Sequence, residues 1–560
     1  MKNQIVNLLS QNIEVLTSEE ISQLIEIPPK PEMGDFAFPC FRLAKSYHKA
    51  PPMIAQDLKE SIGDQAFLSE IKVVGGYLNF YVDKAQYAQQ IIDKYKNTTD
   101  YGCSDQGKDK TICIDYSSPN VAKNFHVGHL RTTIIGNSLY KIFSKLGYKV
   151  VRINHLGDWG TQFGKLIVAY KKWGSREAVE EKGIEELMDI YVKFHEEAEK
   201  DDSLNDEARA WFLKMEQGDE DLEIWQWFRD ISLKEFMRVY NILGMEFDSF
   251  AGESFYRDKT ADVIKRLTDD GLLKESQGAM IVPLDEYDMP PCIVAKKDGS
   301  SIYATRDLAA ILYRKATYNF DRCLYVTGLE QKLHFAQVFK VIELMGNDYA
   351  KNLVHIPYGL VSLKSGKISS RKGNVIFAED LLRESINKTT SIIEEKNPDI
   401  PDKEEVAKQV GIGAIIFNDL YNQRIKDVIF DWNKLLNFDG ETGPYVQYTY
   451  ARASSVLRKI GEVPDTIDYT LLTDEASIGL LKEIERYPQV IKDAAERYEP
   501  SVIARYSIDL AHAFNKFYHE CQINVEDETT KYTRTNVVKI ARYIIKDALS
   551  LLGIQCPEQM

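Results

Sequence analysis

The segment HVGH at residues 126–129 combines side chains that suit phosphate chemistry. A strand pattern, TICIDY, precedes it through a polar turn, and a helical pattern from Leu130 to Leu146 follows it. At a helix N-terminus the free N–H groups and the helix dipole favour phosphate, glycine permits close approach, and side chains at i and i+3 share a face. We therefore expect His126, Gly128 and His129 to hold a triphosphate. The simpler alternative is a pair of structural histidines at a helix cap.

A second segment, LKSGKISSRKGN at residues 363–374, is basic and has no acidic residue. Its glycines and serines suit a loop, and its cations suit the charge that builds on a transferring phosphate. Its cations are Lys364, Lys367, Arg371 and Lys372. For an isolated segment of this kind, a solvated surface loop is the simpler interpretation.

The elements around these segments predict a multidomain α/β protein. Strand, loop, helix and strand follow one another between residues 111 and 156, and such a βαβ unit requires a parallel sheet. A charged, helix-periodic stretch interrupts the sheet, and we expect the β-like segments AMIVPL and PCIVAKK and the strands CLYVTG and NLVHIPYGL to complete it. The predicted parts are an α+β domain (1–98), a Rossmann-like parallel-sheet domain (108–395) with a mainly helical insertion (about 165–290), and an α-helical bundle (396–560).

Composition excludes several classes of protein. The chain has 560 residues, a hydrophobic share of 44% and a formal charge of −15, which describe a folded globular protein and disfavour nonspecific binding to polyanions. The seven cysteines are far apart and contain no C-x-x-C pair, so we expect reduced thiols and neither disulfides nor a protein-bound metal. No apolar run is long enough for a membrane span or a secretory signal, and we expect a cytoplasmic protein.

Several longer motifs are more specific than either loop. They are SSPNVAKNFHVGHLRTTIIGNSLY, INHLGDWGTQFGKLI, YATRDLAAILYR, GLEQKLHF, SGKISSRKGNV and GPYVQYTYAR. With these motifs the chain resembles the class I aminoacyl-tRNA synthetases, and within them the arginyl-tRNA synthetase family, from residue 34 to the C-terminus. The resemblance implies an enzyme, an arginine–tRNA ligase, that attaches L-arginine to tRNA(Arg) through an arginyl-adenylate. It also implies that activation requires bound tRNA, that Mg²⁺ arrives with ATP, and that the protein is a monomer.

The resemblance also assigns roles to individual residues. It gives catalytic roles to His126, His129, Lys123 and Lys367. The ATP-binding residues would be His126, Gly128, His129, Gly328, Glu330, His334, Lys367, Arg371 and Lys372. The arginine-binding residues would be Asp115, Asn120, Tyr303, Asp307 and Gln331. The tRNA-binding residues would be Tyr77 and Asn79 for the D-loop in domain 1–98, and Tyr445, Tyr448 and Arg452 for the anticodon in domain 396–560. Region 360–395 would hold the basic segment 363–374, which is the second signature loop of the class, and would contact the tRNA stem.

The residues themselves support these roles to different degrees. Tyr77 and Asn79 share one face of a strand, and an aromatic ring with an amide suits an unpaired base. Tyr445, Tyr448 and Arg452 follow i, i+3, i+7 spacing, and for an isolated segment a half-buried helix stripe is the better interpretation of that spacing. Without the resemblance Asp307 is better explained as a helix N-terminal cap, and Tyr303 and Gln331 as packing and turn residues.

One motif departs from the family pattern. Where the family has K-M-S-K-S, this chain has KISSR at residues 367–371, so the second lysine is Ser370. Lys123, just ahead of HVGH, is the family's candidate for the missing charge, and the alternative is a solvated loop lysine. The departure leaves open whether the loop mainly closes over ATP and contacts tRNA.

The sequence argues against three other functions. A small-molecule nucleotidyltransferase would leave the two terminal domains unexplained. An inactive RNA-binding relative would not need HVGH, Asn120, Asp307 and Gln331. The cysteinyl enzyme of the same class would need zinc-binding cysteines that this sequence does not contain.

Overall fold

The computed structural model describes residues 1–217, 222–295, 302–363 and 377–560. The predicted ATP-binding residues Lys367, Arg371 and Lys372 lie outside these ranges. The chain forms two compact units. The first unit contains Met1–Tyr101, Val456–Arg486 and Asp509–Ile544, and the second contains Gly102–Ser455, Tyr487–Ile508 and Ile545–Met560.

The first unit contains a three-stranded antiparallel sheet. Its central strand, Tyr77–Val82, pairs with Phe36–Pro39 on one side and with Leu68–Val74 on the other. The hairpin turns at Gly75, whose φ of +59° lies in the left-handed region that favours glycine. The helices that precede or follow these strands are Lys2–Ser10, Ser18–Leu24, Ala44–Tyr47, Pro51–Ile62 and Lys84–Lys96. The α+β prediction for this part of the chain is confirmed.

The second unit is built on a four-stranded parallel sheet. The strand order is Leu353–Tyr358, Arg322–Gly328, Thr111–Asp115 and Lys149–Ile153. The two central strands are almost wholly buried, as expected for a parallel sheet with helices on its faces. The helices that belong to the sheet are Val127–Lys145, Tyr303–Tyr318 and Lys332–Leu344. The predicted Rossmann-like sheet is confirmed, and helix Val127–Lys145, which begins within HVGH, is called the signature helix below.

The insertion is mainly helical, with one difference from expectation. Its helices are Thr161–Trp173, Arg176–Lys182, Ile184–Ala198, Ser203–Gln217, Leu222–Leu243, Glu253–Tyr256 and Thr260–Asp269. The segments AMIVPL and PCIVAKK do form strands, Ala279–Val282 and Cys292–Ala295, but they pair antiparallel with each other and with Lys274–Ser276. They therefore form a separate small sheet and do not extend the parallel one.

The C-terminal part is helical, as predicted. Its helices are Ala378–Lys396, Lys403–Tyr421, Trp432–Leu435, Gly443–Ile460, Glu475–Glu496, Ser501–Glu520 and Glu528–Leu551. A short strand, Val428–Phe430, pairs in parallel with Val361–Leu363 and was not expected. Among the helices of the described residues, none is long and apolar enough to cross a membrane.

Candidate active site

The signature helix begins with two stacked imidazole rings. His126 occupies the N-cap, and its Nδ1 accepts a hydrogen bond of 3.1 Å from the Gly128 N–H. The Nδ1 of His129 accepts one of 3.3 Å from the His126 N–H, and the two ring centroids lie 3.8 Å apart. Because each Nδ1 is an acceptor, the ring proton of each neutral histidine is on Nε2. The helix N-terminus therefore offers two imidazole donors in addition to its free N–H groups.

Both histidines are neutral at physiological pH. Burial lowers the pKa of His126, and the charge of Lys123 lowers it further. Burial also lowers the pKa of His129 to about 3, with smaller contributions from His126 and Lys123. Neutral rings donate hydrogen bonds to phosphate without adding charge. The positive charge must come from the helix dipole and from separate cations.

Lys123 is a cation in a suitable position. Its side chain is exposed, and no ion pair or hydrogen bond of this side chain occurs within the described residues. Its charge nevertheless acts on both histidines of the signature helix. A lysine that lies close to a helix N-terminus, and that no carboxylate of the described residues engages, is available to an anion placed there.

The loop before the signature helix has an unusual backbone. Ser117, Ser118 and Ala122 have φ values of 71°, 44° and 60°, although none is glycine. The loop packs against Gly157, whose N–H donates to Pro119 O and whose carbonyl accepts from Val121 N–H, both at 3.1 Å. A Cβ at residue 157 would collide with the side-chain amide of Asn120, so the observed position of this amide depends on glycine at residue 157. These contacts position Asn120, the predicted ligand of the substrate α-amino and carboxylate groups.

Three buried carboxylates near the sheet edge each bind an arginine of the chain itself. The pairs are Asp115 with Arg314 at 2.7 Å, Asp158 with Arg229 at 2.9 Å, and Glu253 with Arg306 at 3.1 Å. Ser118 also donates to Asp115, and Ser254 donates to Asp158 through its N–H and its hydroxyl. These three carboxylates therefore already have counter-ions.

Asp307 differs from the other three. Its Oδ2 lies 2.6 Å from His334 Nε2, and its Oδ1 lies 3.9 Å from His155 Nε2. Within the described residues it contacts no lysine or arginine. Helix Tyr303–Tyr318 has no side-chain N-cap hydrogen bond, so the capping role considered for Asp307 is not observed. Among the residues that the structure describes, the ion-pair partners of Asp307 are thus imidazoles.

The groups around Asp307 form a continuous chain of contacts. Arg314 Nη2 donates to Asp115 and also approaches His155 Nδ1 at 3.3 Å, which leaves the His155 ring proton on Nε2, toward Asp307. Burial lowers the pKa of His155. Burial would raise the pKa of Asp307, but the hydrogen bond and charge of His334 outweigh it and hold that pKa below its usual value. Asp307 is therefore ionised at neutral pH.

Glu253 was missed by sequence reasoning. It is buried, and burial raises its pKa to about 8 against the opposing charge of Arg306, while Asp307 and Asp158 raise it further. Tyr303 feels the charges of both Glu253 and Asp307. Glu253 therefore belongs to the same cluster as the predicted arginine-binding residues.

The remaining predicted arginine and nucleoside residues lie at the C-terminal edge of the sheet. Tyr303 is exposed at the start of its helix, with the Arg306 guanidinium 5.2 Å from its ring centre. Gln331 is exposed just before helix Lys332–Leu344. Gly328 ends its strand, and a Cβ there would lie 2.2 Å from the carboxylate of Glu330. His334, predicted for ATP, is hydrogen-bonded to Asp307.

Arg131 of HVGHLR was also missed. It is buried in the signature helix, and its guanidinium donates to the carbonyl oxygens of Leu360 at 3.2 Å, Arg424 at 2.9 Å and Lys426 at 2.8 Å. It therefore fixes the signature helix to two backbone segments: Leu360, just before the basic segment, and residues 424–426. Only a fold-level contact reveals this role, since the three acceptors are backbone atoms far away in sequence.

The residues predicted to contact tRNA have mixed exposure. In the first unit Tyr77 is half-buried and packs edge-on against the exposed Phe41 at 5.3 Å, whereas Asn79 is only 3% exposed. In the second unit Tyr448 is 39% exposed, and the Arg452 guanidinium lies 5.0 Å from its ring centre. Tyr445, on the same helix, is half-buried. The exposed aromatic and basic face thus consists mainly of Tyr448 and Arg452.

Comparison with known families agrees with this architecture. Residues 91–432 match the model for the catalytic domain of class I tRNA synthetases (R), which covers more than half of the chain. Residues 3–82 match the arginyl tRNA synthetase N-terminal domain, and residues 446–560 match the DALR anticodon-binding domain. The domains are therefore those of a class I aminoacyl-tRNA synthetase.

Individual relatives narrow the class. An arginine–tRNA ligase from Clostridioides difficile is 55% identical over 99% of both chains, and one from Alkaliphilus metalliredigens is 54% identical over 100% of this chain and 99% of its own. The structural match with the solved arginyl-tRNA synthetase of Thermus thermophilus covers 100% of each chain, with a TM-score of 0.82 at 24% sequence identity. The chain belongs to the arginyl-tRNA synthetase family.

Proposed function

We propose that the chain attaches L-arginine to tRNA(Arg) in two steps, the first of which consumes ATP. The arginine carboxylate attacks the α-phosphate of ATP in line, pyrophosphate leaves, and arginyl-adenylate forms. The 2′-OH of the terminal adenosine then attacks the carbonyl carbon of the adenylate, and AMP leaves. The reaction needs no protein nucleophile. Positioning and electrostatic stabilisation suffice, and helix N-termini, neutral donors and cations provide them.

The observation that carries this proposal is the position of Asp307. A guanidinium is planar and always charged, so its pocket needs a carboxylate without a permanent counter-ion. Asp115 is bonded to Arg314, whereas within the described residues Asp307 has two imidazoles as partners and no permanent cation. We propose that Asp307 binds the substrate guanidinium, with Tyr303 and Gln331 beside it. Asp115 then contributes indirectly, by holding Arg314 and His155.

At the other end of the site, we propose that the signature helix binds the ATP phosphates. His126 and His129 donate through Nε2, Gly128 permits close approach, and Lys123 supplies the charge that Ser370 cannot. Mg²⁺ belongs to the substrate and arrives on ATP, as is usual for magnesium at phosphate sites. Gly328 and Glu330 face the nucleoside, and Lys367, Arg371 and Lys372 remain a prediction.

The same proposal divides the chain into a D-loop-binding domain at residues 1–98, a catalytic domain at 108–395 and an anticodon-binding domain at 396–560. Tyr77 and Asn79 serve the first, and Tyr445, Tyr448 and Arg452 serve the last. The protein acts as a cytoplasmic monomer, and bound tRNA is required for activation. Remote binding energy that completes a catalytic site is a recognised route to specificity.

A charging assay tests the proposal. Purified protein is incubated with ATP, Mg²⁺, tRNA(Arg) and arginine, lysine or citrulline, and aminoacylated tRNA is separated on acid gels. Arginine should be attached. Citrulline has nearly the same shape but no charge, and it should be rejected because Asp307 would be left unpaired. Equal charging with citrulline, or no charging with arginine, would contradict the proposal.

A further inference from the structure

The hydrogen bond between His334 and Asp307 has a role that the reaction scheme does not assign. We infer that His334 is the resting counter-ion of Asp307, and that substrate arginine displaces it and releases its proton. This inference rests on the proposed function, because it requires Asp307 to bind the guanidinium. It makes His334 a positioning residue of the amino-acid pocket.

The geometry distinguishes this pair from its neighbours. The distance from His334 Nε2 to Asp307 Oδ2 is 2.6 Å, and the two side chains are 30% and 21% exposed. The Arg314 and Asp115 side chains, by contrast, are 1% and 7% exposed. A ligand can therefore reach the His334–Asp307 pair, whereas the Arg314–Asp115 pair is enclosed.

The exchange balances in charge and protons. In the free protein, imidazolium and carboxylate form one ion pair. When a guanidinium takes the carboxylate, His334 loses its acceptor and faces a second cation, so its proton passes to the solvent. The product is a guanidinium–carboxylate pair, a neutral imidazole and one free proton. Asp307 raises the pKa of His334 above its usual value against the effect of burial, which favours the imidazolium before arginine binds.

Other titratable and charged groups also act on this pair. Within the described residues, those that interact electrostatically with Asp307 or His334 are His155, Arg314, Glu253, Tyr303, Cys292 and His355. Burial lowers the pKa of His155 and of His355, so both are neutral near pH 7. Burial raises the pKa of Glu253 to about 8 and that of Cys292 to about 12. Glu253 therefore also carries a proton at about pH 6.5, and a variant of His334 is needed to decide which of the two groups is the source of the released proton.

Calorimetry measures the proton directly. Arginine is titrated into the full-length protein in two buffers of different ionisation enthalpy, at about pH 6.5, near the ordinary pKa of histidine. The buffer dependence of the heat gives the number of protons released. The wild-type protein should release up to about one proton per arginine. Its dissociation constant for arginine should fall by up to about tenfold for each unit by which the pH rises, as long as His334 is protonated in the free protein.

Matched variants separate His334 from other sources of protons. His334→Gln can still donate to Asp307 but does not titrate, so its buffer-dependent heat and its pH slope should be lost. His195→Gln, at an exposed position on insertion helix Ile184–Ala198, should behave as the wild type. Thermal unfolding checks that both variants fold, and the pH slope of the wild type tests the inference without any variant.

The outcomes are distinguishable. If the wild-type protein binds no arginine, with or without tRNA, the proposed function fails. If arginine binds but the wild type releases no proton, the proposed function stands and the displacement of His334 is wrong. Equal release by the wild type and His334→Gln would also overturn it, since another group would then be the source.

Discussion

Replacing Asp307 and Asp115 separately by asparagine should produce two different defects. Both are carboxylates at the same sheet edge, and the resemblance assigns both to arginine. Asp115 binds the buried Arg314, whereas the ion-pair partners of Asp307 in the described part of the chain are imidazoles. Asp307→Asn should therefore affect the substrate, and Asp115→Asn should affect the fold.

The magnitudes follow from these environments. Removing one partner of a hydrogen-bonded charge pair at a binding site costs about 2–5 kcal/mol, which weakens arginine binding by about 30-fold to several thousand-fold. The partial exposure of Asp307 favours the lower end of this range. Asp115→Asn leaves the Arg314 guanidinium, which is 1% exposed, without a carboxylate, and breaking such a buried pair lowers the free energy of unfolding by about 3–5 kcal/mol.

Two measurements on the same protein samples decide the matter. Calorimetry gives the arginine dissociation constant, and urea denaturation gives the free energy of unfolding. Asp307→Asn should lose affinity with little loss of stability, and Asp115→Asn should show the reverse. The reasoning is refuted if Asp115→Asn loses arginine binding at unchanged stability while Asp307→Asn binds normally.

Four further predictions concern the rest of the molecule. Lys123→Ala should slow adenylate formation by about 10²- to 10³-fold with little loss of ATP affinity, while Ser370→Ala should have a mild effect. Single-turnover kinetics separate the rate of adenylate formation from ATP affinity. A near-normal rate in Lys123→Ala would exclude Lys123 as the replacement for the missing second lysine. The pKa of His129 is about 3 in the folded chain, below its unfolded value near 6.5, so stability should be full above about pH 6.5 and fall as the pH drops toward 3; His129→Gln should flatten this acid limb in denaturation curves, and an unchanged curve would contradict the assignment. Tyr448→Ala should weaken tRNA binding, by about 1–3 kcal/mol if the ring stacks on a base, and leave arginine affinity unchanged in filter-binding and calorimetric assays; Arg452→Ala should reduce the salt dependence of tRNA binding. The affinity for tRNA should fall steeply with added salt while that for arginine changes less, and equal dependence would mean that the tRNA surface does not track phosphates.

The phosphate end of the site could be predicted from the sequence because it is local. HVGH lies between a strand pattern and a helix pattern, so its place at a helix N-terminus follows from neighbouring residues. The structure adds the tautomers and the ring stacking, which depend on side-chain positions that spacing cannot give. The antiparallel sheet of the insertion shows the same limit, because an alternating pattern predicts a strand without naming its partner.

The arginine end could not be derived from local pattern. Asp115 lies on a strand and Arg314 lies on a helix about 200 residues later, so only the fold shows that the two charges form a pair. Asp307 at a helix start was better explained as a cap until the structure showed its carboxylate facing His334 and His155. Glu253 carried no motif that distinguishes it from the other acidic residues of the insertion. The family resemblance assigns Asp307 to arginine binding. The structure adds a physical reason, because the other buried carboxylates near the sheet edge already pair with arginines of the chain.

The most direct test of the central claim is ATP–pyrophosphate exchange with each of the standard amino acids, in the presence and absence of tRNA(Arg). A site built around Asp307 for a planar cation, and completed by bound tRNA, should exchange pyrophosphate with arginine and tRNA together. It should be silent with lysine, and silent with arginine when tRNA is left out. Robust exchange with arginine and ATP alone would contradict the tRNA requirement, and exchange driven by any other amino acid in preference to arginine would contradict the pocket itself.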